Sequence, residues 1–476
     1  SGDTINEFPF FTFFHADLHP HLLAFPFFVA AFPLADRWIE TGPGEPEARA
    51  EKPEGGRWAW LAPAASFLLL ALAVATAIAA NLWNAPALAI LLVFAGAVRA
   101  TRGQRIPRFG AAAAGAFTGF GALVAALLLT QPYRASYRLP YNGIGRTHAV
   151  SGLFEFLGVW GILFAVAAVG LLMERPEETE DARRRRDFFV ALAAAVSILL
   201  GFARKTPALA PILFLAFLAA RAAWRSLTRD RDREALFAAF LSLLGLGIIA
   251  GCELVYFKDN YGEKLHRMNT IFKFYHQAWP LVGIGAVAFA ERAWRATERP
   301  RRSLALILGT AVFAAALYPA TALVSRLRQH EGRFTLDARS ALERRNRGDL
   351  EAIEWLGKNA PRGSVVMEAS GDPYSEFARI SSHTGIPTVL GWANHEGLWR
   401  SNDAEVTNRL EQISRFYSSG DPGSGRQILQ RYHVTHVVLG ALERSRYGSA
   451  DGIQNFPFLQ KVHSGTTSVF RVLPTP

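Results

Sequence analysis

Apolar residues form long unbroken runs over the first two thirds of the chain and shorter periodic patches after that. Runs of about 17–25 residues match the length an α-helix needs to cross a hydrocarbon core of about 30 Å. Ten such segments can be placed, near 20–38, 58–80, 86–100, 110–130, 153–173, 188–203, 206–223, 235–256, 276–292 and 303–325. The shorter ones are expected to tilt or break. From about residue 330 the pattern changes. Asp349–Asn359 reads as a helix, because Leu350, Ile353, Trp355 and Leu356 recur near helical spacing. Further helices are expected over 374–380, 404–417 and 424–432, strands over 364–367, 387–390 and 436–439, and a closing hairpin over 458–463 and 467–472. The predicted fold is an α-helical multi-pass membrane module, residues 1–328, followed by an α/β domain, residues 329–476.

Charge gives this outline an orientation. The segments 37–57, 99–108, 175–186, 221–233 and 292–302 hold 23 Lys and Arg, against nine in the intervening loops. The positive-inside rule puts the richer set in the cytoplasm. The other loops and the C-terminal domain then lie outside the plasma membrane. The net charge of +11 is thus largely a topology signal, and nucleic acid is not an expected partner. Cys252, the single cysteine, sits in an apolar run and suggests neither a disulfide nor a metal site. The chain starts at Ser1 without a signal peptide of the usual form, so the membrane module is expected to lack its first part.

The densest chemistry precedes the first run. Residues 4–28, TINEFPFFTFFHADLHPHLLAFPFF, place Glu7, His15, Asp17, His19 and His21 among phenylalanines. Carboxylates and imidazoles at this spacing suit acid/base work, with Asp17 and Glu7 as candidate bases. They also suit a divalent metal on His15, Asp17 and His19, which the reading does not require. The plainer reading is a set of interfacial polar groups around a helix start, with Asp17 as cap and Pro20 in the first turn. Arg204, Lys205, Arg267, Lys273, His276 and Arg138 fall on the same outer side and could hold a phosphate. An aromatic belt with snorkelling cations is the alternative. Glu253, inside an apolar run, needs a partner, for which Lys258 or Arg204 is available. In the last domain Trp392, His395 and Glu396 are candidates for an acceptor side. The glycines of 420–425 lack Walker spacing and its lysine, so no P-loop is supported.

Three resemblances bear on these residues. Asp17-Leu18-His19-Pro20-His21 resembles the first metal motif of PHP phosphoesterases, but that motif ends a strand in a soluble barrel, whereas a membrane run follows here. Glu7 followed by Asp17-Leu18-His19-Pro20-His21-Leu22 resembles the acidic groups and D-x-H-P-P-L string of the protein O-mannosyltransferase branch of the GT-C superfamily, with His21 in place of the second proline. INEFPFF with ADLHPH, NLWNAPAL and RMNTIFKFYHQAW look like segments of the Chlor_Arch_YYY family of multi-pass membrane proteins. The GT-C resemblance implies a membrane glycosyltransferase. It would transfer a sugar from a polyprenyl-phosphate donor to a glycan, lipid or protein acceptor on the outer face. A flippase or transporter of lipid-linked saccharides is the alternative from another class, and a membrane scaffold a third. The transferase reading expects Glu7, Asp17, Arg267 and Lys273 to converge on one cavity.

Overall fold

The computed structural model describes residues 8–15, 19–42, 61–104, 108–135, 143–173, 179–230, 232–259, 265–296, 301–329, 335, 337, 339–400 and 402–474. The described residues divide into two compact units, one running to Gln329 and one beginning after it.

The first unit is helical. Its elements are α1 (Pro9–His15), α2 (Pro20–Glu40), α3 (Leu61–Ala80), α4 (Ala85–Thr101), α5 (Phe109–Leu129), α6 (Gln131–Arg134), β1 (Ile144–Arg146), α7 (Leu153–Met173), α8 (Glu180–Ala203), α9 (Leu209–Arg225), α10 (Arg233–Leu254), β2 (Val255–Phe257), α11 (Met268–Ala296) and α12 (Arg301–Gln329). Each of the ten expected runs falls on a helix. Among the described residues eight candidate spans are long and apolar enough to cross a membrane. Of the two others, α3 offers the shorter apolar stretch Ala64–Ala80, and α11 opens with Lys273, His276 and Gln277. Helix starts follow local chemistry. The Thr179 side chain accepts from the Ala182 amide at the head of α8, and Asp232 does the same for Ala235 at α10. Pro20 opens α2, where its missing N–H costs nothing, but the cap residue is His19, without a side-chain cap bond, in place of the expected Asp17.

Two apolar clusters fill the unit. One joins α2, α3, α4 and α5, the other α7, α9, α10 and α11. Leu241 of α10 and Leu281 of α11 also belong to the first, so the α10–α11 pair forms the seam. Hydrocarbon offers little hydrophobic drive between helices, so close approach by small residues has to supply packing. The α4–α5 contact shows this. A Cβ added at Gly96 would meet the Gly115 carbonyl, and one at Gly119 the Leu92 carbonyl. The outer faces keep large apolar side chains exposed, among them Phe117, Phe154, Phe202, Leu306 and Phe313. Such a surface suits lipid rather than water.

The second unit contains α13 (Arg339–Arg345), α14 (Arg347–Asn359), β3 (Val366–Met367), α15 (Arg379–Thr384), α16 (Ala393–Arg400), α17 (Asp403–Ser418), α18 (Pro422–Arg431), β4 (His436–Leu439), α19 (Ala441–Tyr447), β5 (Leu459–His463) and β6 (Ser468–Val472). The sheet order is β3-β4-β6-β5, with β3 and β4 parallel and the expected hairpin, β5 and β6, antiparallel. The segment 387–390 joins the edge through a parallel bridge from Thr388 to Val366. Strand alternation feeds two cores. Val437, Leu439 and Phe470 pack with α17 and α18, while Val438 and Val469 pack with Ala352 and Leu356 of α14. The helix expected over 374–380 starts only at Arg379. Tyr374 and Ala378 adopt left-handed backbone, φ 59° and 64°, which breaks helical geometry.

Arg379 is the polar centre of this unit. It pairs with Asp349 at 2.6 Å and Glu443 at 2.9 Å, and its Nη1 lies 3.9 Å from Glu368. Glu368 also accepts from the amides of Ile380 and Ser381. Burial pushes the Glu368 carboxyl above its usual range, although those amides and Arg379 pull the other way.

Two tests follow from this packing. Gly119→Ala should lower the thermal midpoint in detergent, at a cost of about 1–3 kcal/mol. Gly121→Ala, with open space around its Cβ, should not. Loss of stability in both or neither would contradict the packing. The second test uses pH. A carboxyl raised by folding adds most stability below its unfolded value, near 4.5, and loses that advantage as pH rises through its folded value. Relative to Glu368→Gln, which does not titrate, the parent should therefore lose stability as the pH of an unfolding series rises from acid to neutral. A constant difference across the series would refute this.

Candidate functional site

The N-terminal aromatic segment and the start of α11, more than 240 residues apart in sequence, meet in the first unit. The His21 ring lies 4.7 Å from Phe272 and 4.9 Å from His276, both edge-on. Phe25, one turn along α2, reaches His276 at 4.8 Å. His19 faces His21 at 5.4 Å and Phe272 at 6.0 Å. Phe8 packs on Trp279 at 5.8 Å and on Tyr318 of α12 at 5.1 Å. His276 is 2% exposed, and Lys273 places its ammonium 5.7 Å from the Phe272 ring centre. Helical spacing explains the grouping: Phe272 and His276 are one turn apart, as are His21 and Phe25.

The turn Leu82–Asn84 closes another side. Gln277 donates to the Trp83 carbonyl at 3.0 Å, and the Trp83 ring lies 4.7 Å from Phe257 and 5.5 Å from Phe274. NLWNAPAL is thus a short break between α3 and α4 that carries Trp83 to α11, while Asn84 turns inward and donates to the Ala77 carbonyl.

Where α10 ends and α11 begins lies a buried ion pair. The Arg267 guanidinium donates to Glu253 at 2.6 Å, with 3% and 0% of the two side chains exposed. It also donates to the carbonyls of Ala149 at 2.6 Å and Cys252 at 2.9 Å. Glu253 accepts from the Ser151 amide and hydroxyl and from the Tyr275 hydroxyl. The short ladder pairing Ile144 with Phe257 and Arg146 with Val255 holds the same corner. The partner of Glu253 is therefore Arg267, not Lys258 or Arg204. Arg267 in turn is committed to this network, which replaces its expected role as an open phosphate clamp. A carboxylate at the end of a membrane run takes the cation that opens the next helix, a pairing visible in the short spacing of Glu253 and Arg267.

The remaining candidates divide. Glu7, Asp17 and Arg138 lie outside the described residues; of the other two groups expected to converge, Lys273 lies beside Phe272 and Arg267 is turned into the buried pair. His15 is exposed and stacks on Phe11 at 5.6 Å. Among the described residues no group of three His, Cys, Asp or Glu could hold a metal ion. Arg204 and Lys205 are exposed at the turn after α8. In the second unit Trp392 and His395 are 5.4 Å apart. Tyr374, which sequence did not single out, joins both; the Asp-Pro-Tyr turn was its only signal.

The far ends of the same helices form a different polar layer. Arg233 pairs with Asp36 and Glu40, Arg292 with Asp232, and Arg99 donates to the Thr41 carbonyl. Arg99, Arg233 and Arg292, from three of the Lys/Arg-rich segments, thus lie at helix ends opposite the His21–His276 end.

Arg267→Met should destabilise the first unit by about 3–5 kcal/mol, because it leaves Glu253 buried without its counter-charge. The double variant Glu253→Gln with Arg267→Met should recover part of that loss in thermal unfolding. Equal or greater loss in the double variant would refute the pairing.

No curated protein matches the chain. Residues 2–282, which include both arms of the site, match the family described as Uncharacterized membrane protein (DUF2298). This match covers more than half of the sequence, and the chain belongs to that membrane protein family.

Proposed function

We propose that the chain is a GT-C-like membrane glycosyltransferase that moves a sugar from a polyprenyl-phosphate donor to an acceptor on the extracytoplasmic face of the plasma membrane. One observation carries the reading: the His and Phe side chains that open α2 meet the start of α11, and they bring imidazoles, an ammonium and aromatic walls to one end of an apolar bundle. The lipid tail of a donor would lie against the exposed apolar faces. Lys273, with N–H groups of His19, His21 and His276, would hold its phosphate. The positive-inside rule assigns the opposite, Arg-rich end to the cytoplasm and so puts this end outside.

The transfer is a single displacement. An acceptor hydroxyl oxygen attacks the anomeric carbon as the bond from that carbon to phosphate oxygen breaks. The hydroxyl proton goes to Asp17 or Glu7, and polyprenyl phosphate leaves with the electron pair, its charge met by Lys273. Arg267 acts at one remove: through Glu253 and Tyr275 it fixes the α11 end on which Lys273 and His276 sit.

The test uses the chain in nanodiscs with polyprenyl-phosphate mannose and polyprenyl-phosphate glucose as donors and a soluble alkyl glycoside as acceptor. Asp17→Asn should abolish release of polyprenyl phosphate while donor binding persists. Lys273→Ala should weaken donor binding about tenfold, the loss of one charged hydrogen bond. Movement of donor across the bilayer without release of polyprenyl phosphate would replace the transferase with a carrier. Full turnover by Asp17→Asn would remove Asp17 as the base, and full turnover by Glu7→Gln as well would contradict the assigned chemistry.

A further inference from the structure

The parallel strands of the second unit end side by side. β3 continues to Gly371 and the edge segment 387–390 continues to Trp392, where the two residues form a parallel bridge, while β4 runs into Gly440. From β3 the chain passes to the edge segment on one side, then returns to β4 on the other. Open α/β sheets bind ligands at such a parting, beyond the carboxyl ends of the strands. Here the chain fills that crevice itself. Glu443 accepts from the Ala369 amide at 2.9 Å and the Gly440 amide at 2.8 Å, and pairs with Arg379. A phosphate or other anion would have to displace this carboxylate.

The loops beside the crevice carry rings instead. Tyr374 lies 5.7 Å from Trp392 and 5.3 Å from His395, and Trp392 lies 5.4 Å from His395. Tyr374 is 64% exposed. Left-handed backbone at both Tyr374 and Ala378 shapes the loop that displays it. The Trp392 indole N–H donates to the Phe377 carbonyl at 2.9 Å and pins that loop to its neighbour. A Cβ added at Gly391 would lie 3.7 Å from both the Glu396 carboxylate and the Ala378 methyl, so the carboxylate borders the same loop pair. The cluster therefore combines flat apolar faces with acceptor groups, which fits a ring with C–H faces and hydroxyl edges and disfavours phosphate.

We propose that residues 371–378 and 391–396 form a saccharide-binding platform. Tyr374 and Trp392 stack on a sugar ring, and His395 and Glu396 hydrogen-bond its hydroxyls. The choice of a saccharide over another flat ligand rests on the transferase reading above.

Calorimetric titration of the full chain in nanodiscs with maltotetraose, chitotetraose and mannotetraose tests it. At least one should bind. Tyr374→Phe, which keeps the ring, should bind as the parent does. Tyr374→Asn, which tolerates left-handed backbone, should bind about tenfold more weakly. Lys273→Ala should leave oligosaccharide binding intact, and Tyr374→Asn should leave polyprenyl-phosphate donor binding intact, so the two proposals fail separately. Absence of binding by all three oligosaccharides, or equal binding by Tyr374→Asn, would overturn the platform. Tyr374-dependent binding of an extended proline-rich peptide in their place would overturn the saccharide assignment.

Discussion

The Glu253–Arg267 ion pair is the constraint on which the His21–His276 end of the first unit depends. A carboxylate at the end of an apolar helix is stable only if its charge and its lone pairs are met. Here four donors meet it, from the 149–151 segment, from Arg267 and from Tyr275. Those donors come from stretches distant in sequence, so one carboxylate fixes the entry to α7, the end of α10 and the first turns of α11 together. The rotation of α11 that follows turns His276 and Phe272 toward His21 and Lys273 toward the same end. The charge pair itself is sealed from solvent and so acts by position rather than by contact with a ligand.

This division of labour explains why one end of the bundle is aromatic and the other ionic. At the His21 end, rings supply a boundary that can touch both lipid and water. At the Arg233 end, salt bridges among Asp36, Glu40, Asp232, Arg233 and Arg292 tie helix ends together. The second unit repeats the principle on a smaller scale. Buried Arg379 gathers three carboxylates under the sheet ends and leaves the neighbouring loops free to carry rings.

Length and apolarity were enough to place the helices, because in lipid every backbone group must be satisfied within the segment and a helix is the answer for a run of that length. The sheet strands, too, followed from short β-branched runs such as His436–Leu439. The site was legible as a set of motifs and not as an arrangement. Nothing local says that Arg267 turns inward to Glu253 while Lys273 stays with Phe272; the register of α11 against α10 decides it. Likewise 374–380 has helical composition, and only the tertiary demand for left-handed backbone at Tyr374 and Ala378 delays the helix to Arg379.

The central claim is that the N-terminal segment and the start of α11 are two walls of one lipid-phosphate site. Photo-crosslinking tests it most directly, with a polyprenyl phosphate carrying a diazirine in the first isoprene unit and peptide mapping of the labelled chain in nanodiscs. Label is expected in both 8–28 and 268–279, competed away by unmodified polyprenyl phosphate. Label confined to other helices, or to one of these segments alone, would contradict it.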